Sequence, residues 1–424
     1  MSRNFTAFYT FFATAWCIAA VAGAWEITEI RTVDGQAVIE WNAAPGKSYR
    51  IERYSSLESA TPTSAVAVTA SSTLPQWTDT SSPSLPRLFY RISTSNDVRK
   101  IGLSDVRTWA YNIQHVDTPA QRAELVGSHF DMYVLEPAVT EEGNSGFDIA
   151  GLVSAIRAYN ISNYCKDPLI LAYVDIGESE DWRWYWQEGW TVGNPEWIVG
   201  EDPNFWEGNF PVAYWYAEWK DYVIYGSNGM SHVEETLKAG FDGIYMDWVE
   251  AFSDTNVTAK AQLDAVDPGA EMFNFIEEIR TYARQTSSNS NPNYLIVAQN
   301  APDLYDEDPT RYTNLIDAIA QEGIWYDGDA GFDDWSEAGG FNVPTDDIYP
   351  GYTGELLEYY TNVFAGLMPI FCCEYAQDLD GTNYAALVYT NLAPAINAIP
   401  TCTRRSLARL SKIPYPHRYR PHDY

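Results

Sequence analysis

Apolar and polar positions change their period along the chain, and the change divides it. Over residues 25–96 they alternate with a repeat of two. Ala37-Val-Ile-Glu-Trp41, Ser48-Tyr-Arg-Ile-Glu-Arg53, Ala65-Val-Ala-Val68 and Arg87-Leu-Phe-Tyr-Arg-Ile92 all read as half-buried strands. Asp34-Gly35, Pro45-Gly46 and a Ser/Thr/Pro-rich stretch punctuate them as turns. From Asp105 onward, short apolar runs alternate with segments of helical period, as a parallel sheet with crossover helices requires. Strands are predicted at Thr108–Ile113, Asp131–Glu136, Leu169–Ile176, Gly243–Trp248, Tyr294–Gln299, Ile316–Gln321, Pro369–Glu374 and Ala398–Thr401. Asp148 is read as the cap of a helix over Ile149–Asn160, Asp267-Pro268 as the start of Glu271–Ala283, Thr353 as the start of Leu356–Phe364, and Thr403 as the cap of Arg404–Leu410. The expected fold class is α/β: a (β/α)8 TIM-type barrel over 97–412, behind a small all-β sandwich over 25–96 and before a basic tail at 413–424.

The first 24 residues carry Arg3, an apolar stretch from Phe11 to Val21 and the small residues Ala22-Gly23-Ala24, the pattern of a cleaved secretory signal. The apolar run is too short for a membrane anchor, and Trp16 before Cys17 argues against a lipid attachment site. A secreted, extracellular protein without a membrane span is therefore expected. Of the remaining cysteines, Cys165, Cys372, Cys373 and Cys402, none has zinc-site spacing. Export permits a disulfide, but buried free thiols are the expectation, with Cys372 and Cys373 facing opposite ways on one strand.

Charge is distributed unevenly. The chain carries −32 overall; residues 1–24 hold +1, residues 25–96 hold −1 and residues 403–424 hold +5, which leaves −37 for residues 97–402. Such a segment is no partner for nucleic acid. It suits either a cationic substrate or a generally acidic, soluble exported surface.

Candidate chemistry lies at strand ends. In Gly240-Phe-Asp-Gly-Ile-Tyr-Met-Asp247 and Ile316-Asp-Ala-Ile-Ala-Gln-Glu322 an apolar strand runs directly into a carboxylate. Alternation places Gly243, Tyr245 and Asp247 on one face, and Ile316, Ala318, Ala320 and Glu322 on one face. Carboxylates at the carboxyl ends of barrel strands are where such barrels carry catalysis, although a lone acid can equally cap the following loop. The third strand ends in Asp175, Glu178 and Arg183, either a substrate-binding carboxylate oriented by the arginine or an arginine–carboxylate clamp. Residues 182–219 hold eight of the sixteen tryptophans, among them Trp182, Trp184, Trp206 and Trp215; their flat faces suit sugar rings or the packing of a long loop. Gln299 and Asn300 end the fifth strand, and Glu374 and Tyr375 the seventh; they can hydrogen-bond sugar hydroxyls or finish their strands. His115 follows the first strand, and with so few histidines a His-ligated metallohydrolase is disfavoured; no G-x-S-x-G elbow, P-loop or dinucleotide fingerprint occurs. No cofactor is implied.

Several of these strings together resemble glycoside hydrolase family 114, the endo-α-1,4-polygalactosaminidase-like barrels: Leu171-Ala-Tyr-Val-Asp-Ile-Gly-Glu-Ser-Glu-Asp-Trp-Arg183, Gly240 to Asp247, Ala298-Gln-Asn300, Ile316 to Glu322, Glu374-Tyr-Ala376 and Thr403-Arg-Arg-Ser-Leu407. The likeness spans residues 105–412 in order. It implies a barrel that cleaves α-1,4-linked galactosamine polymers, with Asp247 as nucleophile and Glu322 as acid/base. Asp175, Glu178, Arg183, Trp182, Trp184, Trp215, Tyr245, Gln299, Asn300 and Glu374 are the candidate substrate-binding set. The chain departs from the family pattern at Asp175, at Glu250 and at Cys372-Cys373. The preceding module resembles a fibronectin type III-like sandwich. Rival expectations are a non-catalytic carbohydrate-binding barrel and a polysaccharide deacetylase.

Overall fold

The computed structural model describes residues 9–10, 27–33, 36–43, 45–55, 62–80, 88–94, 98–113, 118–137, 147–164, 166–203, 207–227, 229–327, 342–376, 378–379 and 382–402. Most of the expected signal, His115, Cys165, Trp206, the Thr403-capped helix and the basic tail lie outside these residues. The chain divides into two compact units, Met1–Ile101 with Arg157–Asp167, and Gly102–Ile156 with Pro168–Tyr424.

In the first unit, two antiparallel sheets pack face to face. One pairs Ile27–Val33, Gln36–Trp41 and Gln76–Thr78; in the other, Ser48–Tyr54 lies between Ser64–Thr69 and Phe89–Thr94. Alternate residues of both sheets, Ile27, Ile39 and Trp41 against Tyr49, Ile51, Tyr90 and Ile92, form one buried cluster. Trp41 meets Tyr49 edge to face with ring centroids 5.9 Å apart.

The second unit is a (β/α)8 barrel. Its strands are β1 (Trp109–Asn112), β2 (Met132–Leu135), β3 (Leu169–Asp175), β4 (Gly243–Asp247), β5 (Leu295–Gln299), β6 (Ala318–Glu322), β7 (Ile370–Glu374) and β8 (Ala398–Cys402). All pair in parallel and in chain order. The last meets the first through Trp109 Nε1 donating to the Ile399 carbonyl at 2.8 Å and Thr401 Oγ1 to the Trp109 carbonyl at 3.0 Å. Every predicted strand is present. β6 starts two residues later than expected, because Asp317 is used as a register pin: its carboxylate takes the Ile296 N–H of β5 and the Arg284 guanidinium. Asp131 and Asp242 do the same for Thr108 and Ile170.

Rings from strands that are not neighbours touch across the interior: Tyr111 and Tyr245 at 5.5 Å, Trp109 and Tyr245 at 6.3 Å, Trp109 and Phe371 at 5.6 Å. The facing positions of β5 and β6 are the smaller Val297, Ala318 and Ala320, so large residues interdigitate with small ones. The outward faces, including Ile244, Met246, Ile296, Ile319 and Cys372, pack with residues such as Met272, Phe275, Ile276 and Ile279. Cys372, Cys373 and Cys402 are buried free thiols, as expected. Helices start where caps were read at Asp148 and Asp267, whose carboxylates accept from Gly151 N and Ala270 N. Thr353 does not open its helix. The helix begins at Tyr352 behind Gly351, and the Thr353 hydroxyl instead donates to the Ile324 carbonyl at 2.8 Å. Among the described residues, no helix is long and apolar enough to cross a membrane.

Candidate active site

Three consecutive strands end alike. Asp247, Gln299 and Glu322 are the last residues of β4, β5 and β6, and all three side chains stand on the interior face at the carboxyl end. The next residue in each case, Trp248, Asn300 and Gly323, has a positive φ of 55°, 61° and 59°. The left-handed turn takes the backbone sharply out of the strand and leaves the side chain at the barrel mouth. Asn300 tolerates this conformation, whereas for Trp248 it is unfavourable and must be held by the surroundings. Gly177 makes room on one side, since a Cβ there would lie 2.2 Å from the Trp248 carbonyl oxygen.

Gln299 joins the two carboxylates. Its Nε2 donates to Asp247 Oδ1 at 2.9 Å and to Glu322 Oε2 at 2.7 Å. Those two distances cap the separation of the two carboxylate oxygens at 5.6 Å. Asp247 also accepts from the Tyr173 hydroxyl at 2.5 Å and from Trp248 N at 3.0 Å. Glu322 accepts from the Tyr375 hydroxyl at 2.9 Å and from Asn300 Nδ2 at 3.4 Å, while Asn300 Oδ1 takes the Glu322 N–H at 2.9 Å.

Burial, and then the charge of Asp247, pushes Glu322 up to about 8; its Tyr375 and Asn300 hydrogen bonds oppose this. Asp247 is also raised by burial, but donors from Tyr173, Trp248 and Gln299 oppose the rise. Two carboxyls this close cannot both ionise at low cost. Asp247, whose rise three donors oppose, takes the charge and Glu322 keeps the proton, which is the division of labour an acid and a nucleophile need.

No family model matches the chain. It is 32% identical over 314 residues to an uncharacterised protein of Deinococcus radiodurans, covering 74% of this chain and 85% of that one. The chain belongs to the family of that protein. An uncharacterised Thermotoga maritima protein is 29% identical over 218 residues and one from Methanocaldococcus jannaschii 31% over 228; the matches span only 60% and 57% of those proteins' own lengths. Among solved structures, Aspergillus fumigatus Ega3 in complex with galactosamine is similar at a TM-score of 0.43 and 14% identity, over 72% of this chain and 93% of that one. The α-N-acetylgalactosaminidase NagBb of Bifidobacterium bifidum is similar at 0.37 and 12%, over 91% and 65%.

Of the other predicted site residues, Asn300 and Tyr245 adjoin the pair; Tyr245 lies on the interior face of β4, fully buried beneath Asp247. Asp175 pairs in register with Asp247, but its Oδ1 closes a turn by accepting Gly177 N and Glu178 N at 3.0 and 2.8 Å. Glu178 is buried in a hairpin with Asn209–Pro211, where Asn209 Nδ2 donates to it. Arg183 forms the clamp rather than orienting Asp175: its guanidinium grips Glu136 at 2.7 and 3.0 Å and Glu180 through Nε, and it stacks on Trp182 at 3.9 Å. Trp182 donates to Glu180, and Trp215 donates to Asp264 on the helix Thr255–Asp264. Trp184 packs against Tyr185, Tyr222 and His232. None of these hydrogen bonds and ring contacts reaches the carboxylate pair.

Glu374 was expected either to hydrogen-bond sugar hydroxyls or to finish its strand. Instead its carboxylate accepts the N–H groups of Ile324, Trp325 and Tyr326 at 3.1, 3.0 and 2.9 Å, pinning the loop that leaves Glu322. Sequence reasoning missed Tyr173 and Tyr375 as partners of the pair. Tyr173 was legible, since it shares a face with Asp175 two residues on. Tyr375 lies just past its strand, where alternation gives no direction.

Proposed function

We propose that this chain is a secreted glycoside hydrolase that cleaves α-1,4-linked galactosamine-containing polysaccharide with retention, Asp247 acting as nucleophile and Glu322 as acid/base. The observation that carries the reading is the Gln299 bridge. It keeps Asp247 Oδ1 and Glu322 Oε2 no more than 5.6 Å apart, which suits the spacing of about 5–5.5 Å in retaining enzymes better than the about 6.5–9.5 Å in inverting ones. The choice of sugar rests on the family resemblance of the strand-end strings, and the −37 carried by residues 97–402 suits a polyamine chain.

In the first step an Asp247 oxygen attacks the anomeric carbon while Glu322 gives its proton to the glycosidic oxygen. The bond between that carbon and that oxygen breaks, and its electron pair stays with the departing sugar's hydroxyl. In the second step the ionised Glu322 takes a proton from water, the hydroxide oxygen bonds to the anomeric carbon, and the ester to Asp247 breaks. Tyr173, Gln299 and the Trp248 N–H stabilise Asp247 as it regains its full charge.

Reducing-end release from an α-1,4-galactosamine polymer tests the reading. Asp247→Asn and Glu322→Gln should each lower kcat by about a thousand-fold or more with unchanged folding. Near-normal turnover by either variant rejects the roles. Binding without release by the parent protein indicates a carbohydrate-binding barrel, and release of acetate without new reducing ends indicates a deacetylase.

A further inference from the structure

The segment between β6 and the helix Tyr352–Tyr359 has no role in the site described above, yet it is fastened to it. Thr345 Oγ1 donates to the Gly323 carbonyl at 2.6 Å and Thr353 Oγ1 to the Ile324 carbonyl at 2.8 Å, the two residues that follow Glu322. Thr345 N donates to the Trp325 carbonyl, and Tyr349 N closes a turn on Thr345. The three N–H groups held by Glu374 lock the same backbone from the other side. Whatever residues 345–353 present is therefore placed rigidly relative to Glu322.

They present two aromatic rings. Tyr349 and Tyr352 are 45% and 36% exposed, and they meet edge to face with centroids 6.0 Å apart and planes at 70°. In the barrel unit's described residues the other exposed aromatic side chains are Trp184 and Tyr225, which belong to other clusters. Among the described residues no hydrogen bond engages either phenol, nor the carboxylate of Asp327 beside them. Asp327 folds against the exit of β6, since a Cβ on Gly323 would lie 2.5 Å from its Oδ1. Its charge raises Tyr349 and contributes to raising Tyr352, in both after burial and in Tyr352 also after Glu250 and Asp303. An exposed ring corner with free hydroxyls and adjacent carboxylates offers a flat apolar face, a wall and hydrogen-bonding groups, as one pyranose unit needs.

We propose that Tyr349, Tyr352 and Asp327 form a subsite for the sugar unit on the leaving-group side of the scissile linkage. The side follows from Glu322. The acid protonates the leaving oxygen, so the departing unit lies beside Glu322, and the tyrosines hang from the backbone that follows it. This rests on the glycosidase reading and adds to it where the polymer extends.

The test is calorimetric binding of galactosamine and of its α-1,4-linked tetramer, free-amine and N-acetylated, to the full chain carrying Glu322→Gln to prevent turnover. Adding Tyr349→Ala and Tyr352→Ala should weaken tetramer binding about tenfold, as loss of aromatic anchors does, and leave the monosaccharide unchanged. Should the double variant not fold, Tyr349→Ala alone, at the more exposed ring, gives the same comparison with a smaller change. Equal tetramer affinity with and without the tyrosines overturns the subsite while leaving the glycosidase reading in place. Failure of both tetramers to bind the Glu322→Gln protein with its tyrosines intact overturns both.

Discussion

On the glycosidase reading, replacing Tyr375 by Phe should shift activity to higher pH. The Tyr375 hydroxyl donates to Glu322 Oε1 at 2.9 Å, and this hydrogen bond favours the ionised form of a carboxyl that burial and Asp247 push up to about 8. Phe keeps the buried ring and removes only the donor. A hydrogen bond to a charged group is worth about 1.5–3 kcal/mol, and one pKa unit corresponds to about 1.4 kcal/mol of difference between protonation states. Glu322 should therefore rise by about one unit. The reaction's first step needs Glu322 protonated, so the alkaline limb of kcat/KM follows this group in the free enzyme. At pH 8.5 the protonated fraction would go from roughly a quarter to roughly three quarters. The assay is reducing-end release across pH 4–10 for both proteins. An alkaline limb that stays put or moves to lower pH refutes the assignment of Glu322 as the acid, whatever happens to the maximal rate.

Glu374→Ala should destabilise the protein by about 1–3 kcal/mol, because the N–H groups of Ile324, Trp325 and Tyr326 then lose their acceptor; thermal unfolding checks this, and an unchanged Tm contradicts it. Stability should also fall as pH rises. Glu322 and Glu374 both sit at about 8 when folded, so between their ordinary carboxylate range and 8 the folded chain binds more protons than the unfolded one. Their contribution is whole below about pH 4.5 and is lost as pH climbs to 8, at up to about 1.4 kcal/mol per pH unit for each group. Urea unfolding at pH 5.5 and 7.5 should show this fall, and Glu322→Gln should make it shallower; an equal fall in the variant contradicts it.

The barrel was legible because burial on both faces makes parallel strands short, continuous apolar runs, and eight of them separated by helical segments leave few alternatives. Asp247 and Glu322 were legible for a related reason: alternation assigns a face, and a strand end assigns a height in the barrel. Glu374 had the height and not the face. Its neighbour Cys373 pairs with Glu322 in register, so Glu374 is turned away from the interior, toward the Ile324–Tyr326 loop that it holds. The tryptophans of residues 182–219 carried a composition signal without direction. Trp186, Trp190, Trp197 and Trp219 pack in a chain of ring contacts of 5.1–5.4 Å, whereas Tyr349 and Tyr352, in a segment of unremarkable composition, are exposed.

The most direct test of the central claim is the anomeric configuration of the first product. Proton NMR of an α-1,4-galactosamine oligomer, recorded during cleavage and before mutarotation, distinguishes the two outcomes. Asp247 Oδ1 and Glu322 Oε2, bridged by one amide nitrogen and so no more than 5.6 Å apart, predict an α-anomer at the new reducing end. A β-anomer appearing first would contradict Asp247 as a nucleophile paired with Glu322.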